Sequence, residues 1–151
     1  MLNAIQTAGN EIPTNLALDT YHDLSATQNT ILVVEDEAFV REATCDILES
    51  EGYRVLRAGN AAEAQAAFQR QHGKIQLLLS DVVLPGQNGP ELAKALRTAR
   101  PALRTIFISG WPENTVTRYG LTARQVSYLP RPFSAQSLLG KVRQALQSEE
   151  L

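Results

Sequence analysis

The sequence predicts an α/β fold, a doubly wound parallel sheet of five strands with helices on both faces. Three observations carry this. Short β-branched or apolar runs alternate with helical periodicities five times between residues 30 and 148, the order expected of a parallel sheet with crossover helices. Ile75 and the run Leu77-Leu78-Leu79 have no polar alternation, which suits a strand buried on both faces. Polar and charged residues then follow the strands directly, as where Asp81 closes that run before the Pro85-Gly86 break. In open α/β sheets this carboxyl edge is where ligands bind.

Each element can be justified in turn. Thr30-Ile31-Leu32-Val33-Val34 reads as the first strand, followed at once by Glu35-Asp36-Glu37. Phe39, Val40, Ala43, Ile47 and Leu48 then recur at helical spacing, and Gly52 ends that helix, as helix-terminal glycines do. Tyr53 to Ala58 is the second strand. Asn60, with Glu63 three residues on, reads as the cap of a helix whose inward residues are Ala64, Ala67 and Phe68. The third strand is the Ile75-to-Ser80 run. A helix from near Asn88 carries Leu92, Ala95 and Leu96 and stops before Pro101. Thr105 to Ile108 is the fourth strand, ending in Ser109-Gly110. A short helix is expected from Pro112 through Val116 and Tyr119 to Gly120. Val126 to Leu129 is the fifth strand, and Pro130-Arg131-Pro132-Phe133 a rigid corner. Ser134 caps a last helix with the stripe Leu138, Leu139, Val142, Leu146.

Composition bounds the function. The chain has 151 residues, 44% hydrophobic and 20% charged, which fits one globular domain with a true core. Residues 1–29 hold three acids (Glu11, Asp19, Asp23) and no base, so of the net charge of −2 about +1 is left for the remainder. That stretch reads as an N-terminal extension, a flexible tail or a docking segment, ahead of a domain spanning 30–148. Cys45 is the single cysteine; it can form no internal disulfide and reads as a small buried side chain. His22 and His72 with one cysteine leave no zinc spacing. The charge shows no nucleic-acid footprint, and no apolar run is long enough to span a membrane. The first basic residue is Arg41, so the N-terminus lacks the basic region of a signal peptide. The sequence therefore reads as cytoplasmic. Arg97, Arg100 and Arg104 read as a solvated face.

The strand ends form a constellation. The first contributes Glu35, Asp36 and Glu37, the third Asp81, the fourth Ser109, and the fifth Arg131 just beyond it. Carboxylates gathered in one pocket repel, by roughly 4 kcal/mol for two charges about 4 Å apart at an effective dielectric of 20. Such a pocket invites a hard divalent cation, and Mg²⁺ with carboxylate, carbonyl and water ligands fits. Ser109 offers a hydrogen bond to a phosphoryl group and Arg131 a fixed positive charge. Asp81 is then a nucleophile that forms an acyl phosphate.

These pieces resemble the receiver domain of two-component response regulators. The resemblance rests on Ile31-Leu32-Val33-Val34-Glu35-Asp36-Glu37, on Ser80-Asp81-Val82-Val83-Leu84-Pro85-Gly86 with Asn88-Gly89, on Ile108-Ser109-Gly110, and on Tyr128-Leu129-Pro130-Arg131-Pro132-Phe133. It covers roughly residues 30 to 148. It implies the strand order 2-1-3-4-5 with five flanking helices, a flavodoxin-like arrangement. It implies Asp81 as phosphoacceptor, Mg²⁺ held by Glu35, Asp36, Asp81 and the backbone carbonyl of Val83, and switch positions at Ser109 and Tyr128. One position departs: the family usually has Lys before the Pro-Phe pair, where this chain has Arg131, and the two are not equivalent. A guanidinium there either reaches the phosphoryl group or pairs with Asp81 and holds the site shut.

The resemblance also implies partners: a histidine kinase or histidine phosphotransfer protein as donor, and a downstream protein as target. The protein would be a monomer or a phosphorylation-dependent dimer. Trp111, Tyr119 and Tyr128 are the candidate partner surface. Val83 and Trp111 are apolar and cannot orient an attacking water, so self-dephosphorylation should be slow. Beyond that and self-phosphorylation from small donors with Mg²⁺, no enzymatic activity is expected. The sequence contains no recognisable DNA-binding or enzymatic output module, so it reads as a stand-alone receiver or the receiver portion of a hybrid kinase. Two readings compete: a pseudo-receiver scaffold not regulated by phosphorylation, with Arg131 as its mark, and a small hydrolase using Asp81. The hydrolase lacks a second acid two residues after Asp81. A dinucleotide site is unsupported, because no glycine-rich turn follows the first strand.

Overall fold

A computed structural model describes residues 29–109 and 126–147. Their order is β1 (Thr30–Val34), α1 (Ala38–Ser50), β2 (Arg54–Ala58), α2 (Ala61–Arg70), β3 (Leu77–Asp81), α3 (Gly89–Ala99), β4 (Arg104–Ile108), β5 (Val126–Leu129) and α4 (Ala135–Gln147). The five strands form one parallel sheet in the order β2-β1-β3-β4-β5, the doubly wound arrangement expected. Four helices fall among the described residues; the short helix expected around Pro112–Gly120 lies outside them, as do Trp111, Tyr119 and the extension before residue 29.

The central strands are apolar on both sides because both sides are covered. Leu32, Val34, Leu78 and Phe107 pack with Ala64, Phe68, Leu92 and Leu96 of α2 and α3 on one face. Ile31, Val33, Leu77, Leu79 and Ile106 pack with Cys45, Leu48, Leu138 and Val142 of α1 and α4 on the other. The first three strand residues of Leu77-Leu78-Leu79 are all fully buried, which is why the run shows no alternation. Ile75 is buried as well but sits ahead of the strand, which begins at Leu77.

Helix ends follow their local chemistry. Gly52, at φ 97°, donates to Glu49 while Tyr53 donates to Leu48 (3.0 and 3.4 Å), a left-handed helix stop that glycine adopts without steric cost. Asn88 accepts from the Glu91 N–H at 2.9 Å and Glu91 accepts from the Asn88 N–H at 3.1 Å, a complete capping box. Asn60 caps α2 through the Glu63 N–H, but the Glu63 carboxylate reaches back to the Gly59 N–H, one residue earlier than a capping box requires. Ser134 caps α4 through the Ser137 N–H at 3.0 Å.

Two helix faces differ from expectation. In α1 the buried residues are Thr44, Cys45 and Leu48, whereas Ala43 is exposed and Phe39 is 81% exposed. Phe39 lies roughly 140° around the helix from Thr44, so the apolar residues of this segment occupy two faces and the sheet takes only one. In α3 Ala93 rather than Ala95 faces the core with Leu92 and Leu96. Arg97, Arg100 and Arg104 are not a simple solvated face. Arg97 donates to the carbonyls of Leu103 and Pro101, and Arg104 to that of Ala145 at the end of α4. No helix among the described residues is long and apolar enough to cross a membrane.

Candidate functional site at the carboxyl edge of the sheet

Strand register brings the site together. Val34 lies level with Ser80, and Asp81 level with Ile108, which in turn lies level with Leu129. One residue further along each strand therefore puts Glu35 beside Asp81, Ser109 beyond it, and the Pro130-Arg131 corner alongside. Side-chain alternation does the rest. Ile31 and Val33 face α1 and α4, as do Leu77 and Leu79; continued by two residues, the same parity aims Glu35 and Asp81 to that side.

Glu35 and Asp81 are buried, at 4% and 6% exposure, and Asp36 is exposed. One oxygen from each of the three carboxylates lies within 4.8 Å of the others. These residues line an open cleft of about 650 Å³ together with Val83, Ser109 and Arg131. Glu37 borders the cleft, but its contribution is its N–H, which donates to Glu35 Oε2 at 3.1 Å. Burial, and then the hydrogen bond and charge of Glu35 beside it, raise the Asp81 carboxyl from the 3.8 of a free acid to about 7, with Arg131 pulling in the opposite direction.

Arg131 crosses the cleft. Its Nη2 donates to Glu35 Oε1 at 2.9 Å and also to Asp81 Oδ1. Of the two geometries open to a guanidinium at this position, the one present is pairing with Asp81. Ser109 is buried at the rim, its N–H donating to the Leu129 carbonyl at 3.3 Å. Tyr128 is not in the cleft: it is half-buried on the α2 and α3 side, its ring 6.2 Å from that of Phe107. Trp111 and Tyr119, the other expected surface aromatics, lie outside the described residues.

Two positioning residues escaped the sequence reading. Arg41 donates through Nη1 to the main-chain carbonyl of Glu35 at 2.8 Å, tying the first turns of α1 to the end of β1. Nothing in the sequence distinguishes it from a surface arginine. Gly89 packs beneath Asp81, its N–H donating to the Val82 carbonyl at 2.8 Å. Its place in the Asn88-Gly89 pair was the available signal.

The arrangement can hold a hard cation against buried carboxylates and present one of them to an electrophile. Comparison with known proteins shows the family. The family described as the response regulator receiver domain matches residues 31–143. The sensor kinase CckA of Brucella abortus (strain 2308) is 35% identical over 128 residues, 85% of this chain and 13% of that protein. The phosphate regulon transcriptional regulatory protein PhoB of Pseudomonas aeruginosa is 34% identical over 121 residues, 78% of this chain and 51% of that protein. The chain thus spans about half or less of the length of these curated relatives. Among solved structures, the receiver domain from the hybrid histidine kinase CckA is similar at a TM-score of 0.67 and 36% identity, over 79% of this chain and all of that one. A CheY-like receiver domain protein from Methanospirillum hungatei JF-1 is similar at 0.69 and 30% identity, over 78% and 93% of the two chains.

Proposed function

Because the chain belongs to the response regulator receiver family, we propose that it is a phosphoacceptor switch of a two-component system or phosphorelay, phosphorylated on Asp81. The supporting observation is the meeting of the Glu35, Asp36 and Asp81 carboxylates within 4.8 Å at the carboxyl edge of the sheet. Receiver domains are signalling domains rather than enzymes. The donor is a histidine kinase or a histidine phosphotransfer protein. An Asp81 oxygen attacks the donor phosphorus and forms the O–P bond of an acyl phosphate. The phosphorus–nitrogen bond of the donor's phosphohistidine breaks, and its electron pair leaves on the imidazole, which takes a proton from water.

The family binds Mg²⁺ in an acidic pocket. The donor set fits such an ion: the oxygens of Glu35, Asp36 and Asp81, with the Val83 main-chain carbonyl at the cleft, are hard ligands of the right charge. When bound, the ion neutralises charge on the carboxylates and on the phosphoryl oxygens. The Ser109 hydroxyl donates to the phosphoryl group, Arg131 offers it a positive charge, and Tyr128 reports the change to the surface. Output runs through protein–protein contacts in the cytoplasm, with the chain as a monomer or a phosphorylation-dependent dimer. Val83 at the rim leaves water unoriented, so the acyl phosphate is long-lived.

The test is intact-protein mass after incubation with Mg²⁺ and acetyl phosphate, beside Asp81→Asn. A single phosphoryl adduct absent from the variant is the expected result. No adduct on the natural chain, at any Mg²⁺ concentration, would turn the reading to an interaction scaffold.

A further inference from the structure

We infer that Arg131 is a built-in competitor of the divalent cation, so that this chain takes up Mg²⁺ only by displacing its own guanidinium from Glu35 and Asp81. The inference rests on the reading of the acidic cluster as the Mg²⁺ pocket of a phosphoacceptor site, and it concerns the protein before any phosphoryl group arrives.

The two carboxylates that Arg131 joins are the two buried members of the cluster, with side chains 5% and 9% exposed. A single nitrogen, Nη2, serves both. Buried carboxylates need a counter-charge, and here the guanidinium supplies it at one oxygen of each, Glu35 Oε1 and Asp81 Oδ1. A cation drawn to these carboxylates competes with the guanidinium, since the two positive charges repel each other and share the same two counter-charges. Arg41 does not relieve the competition, because its guanidinium is engaged with the Glu35 carbonyl and lies 3.8 Å from Glu42. Asp36 is exposed and is the carboxylate left open to a first encounter.

Displacement is sterically available. The Arg131 side chain is 39% exposed and stands at the mouth of an open cleft, so it can swing into solvent without disturbing the core. The identity of the residue sets how readily it leaves. A guanidinium is weakly hydrated, whereas an ammonium is strongly hydrated and gives up a partly buried partner more easily. Charge alone would make Arg and Lys equal competitors. Its weaker hydration makes arginine the stronger one.

The experiment is calorimetric titration of Mg²⁺ alone, without phosphodonor, into the full chain and into Arg131→Lys and Arg131→Ala, each first shown to melt cooperatively in EDTA. The easier release of an ammonium predicts that Arg131→Lys binds Mg²⁺ about tenfold more tightly than the natural chain, and Arg131→Ala more tightly still. Equal dissociation constants for the natural chain and Arg131→Lys, with only Arg131→Ala tighter, would reduce the effect to net charge and overturn the special role of arginine. Equal constants for all three, or weaker binding in Arg131→Lys, would overturn the competition itself. A chain that binds Mg²⁺ in the expected order yet yields no adduct on Asp81 would refute the phosphoacceptor reading and leave this inference standing.

Discussion

Gly89 lies directly beneath the main-chain carbonyl of Asp81: a Cβ on Gly89 would stand 2.1 Å from that oxygen. The obstacle is backbone, which cannot rotate away as a side chain can. The chain must return tightly after β3 to start α3, and only glycine permits the approach. Gly89→Ala should therefore destabilise the fold by about 1–3 kcal/mol, the usual cost of overpacking, and shift Asp81. Urea unfolding and phosphorylation by acetyl phosphate measure the two effects. Asn88→Ala is the control. It loses the helix cap, about 1 kcal/mol, but leaves Asp81 in place. Equal phosphorylation of Gly89→Ala and the natural chain would show that this contact does not position the carboxylate.

Cys45 is fully buried on the sheet-facing side of α1, and burial pushes its thiol up from 9.0 to about 11. A thiol raised on folding contributes stability that is complete below the unfolded value and is lost as pH rises toward the folded one. Between pH 9 and 11 the unfolded chain gives up its thiol proton first, so stability falls with pH, by at most about 1.4 kcal/mol per pH unit from this group. Cys45→Ala loses core volume at every pH but also loses this added slope. Urea melts from pH 8 to 10.5 should show the two curves converging. Parallel curves would mean that the thiol titrates alike in both states.

How the sequence announces its structure differs from part to part. Strands were plain because Leu77-Leu78-Leu79 and Ile31-Leu32-Val33-Val34 are buried on both sides, and a two-sided burial leaves no ambiguity of phase. Glu35, Asp36, Asp81, Ser109 and Arg131 could be placed at one edge because parallel strands share their carboxyl ends. Helix phase was less plain. Phe39 and Leu48 are both apolar, and only the docking of α1 on the sheet decides that Leu48 goes inward. The Arg131 bridge could be posed from the sequence only as one of two geometries. Choosing between them needed the register that places Asp81 one residue beyond the level of Val34 and Ser80. Arg41 was beyond sequence reasoning altogether, since its partner is a main-chain carbonyl, which carries no signature in residue type.

Val83 borders the cleft and is 59% exposed. An isopropyl group there offers no hydrogen bond to an attacking water. Val83→Asn adds a donor and an acceptor at that place and should shorten the life of the acyl phosphate, on the order of tenfold for a better-oriented water. The decay of the phosphorylated mass after removal of the donor measures it. Unchanged decay would place the control of lifetime elsewhere in the cleft.

Phe39 is 81% exposed in the first turn of α1, one residue after Ala38 and one before Val40, which both line the cleft. A phenyl ring held in water next to a charged pocket contributes little to folding, and a partner that covers it gains that burial instead. Phe39→Ala should leave the urea midpoint nearly unchanged, because alanine also favours the helix and no core contact is lost. It should equally leave phosphorylation by acetyl phosphate unchanged, since a small donor needs only the pocket. Transfer from a phosphohistidine-bearing protein should slow by about tenfold or more, the cost of truncating one aromatic anchor in an interface. The comparison of small and protein donors on the same variant separates docking from chemistry. A variant slowed with both donors would place Phe39 in the pocket's own support, and one slowed with neither would remove this face of α1 from the donor's footprint.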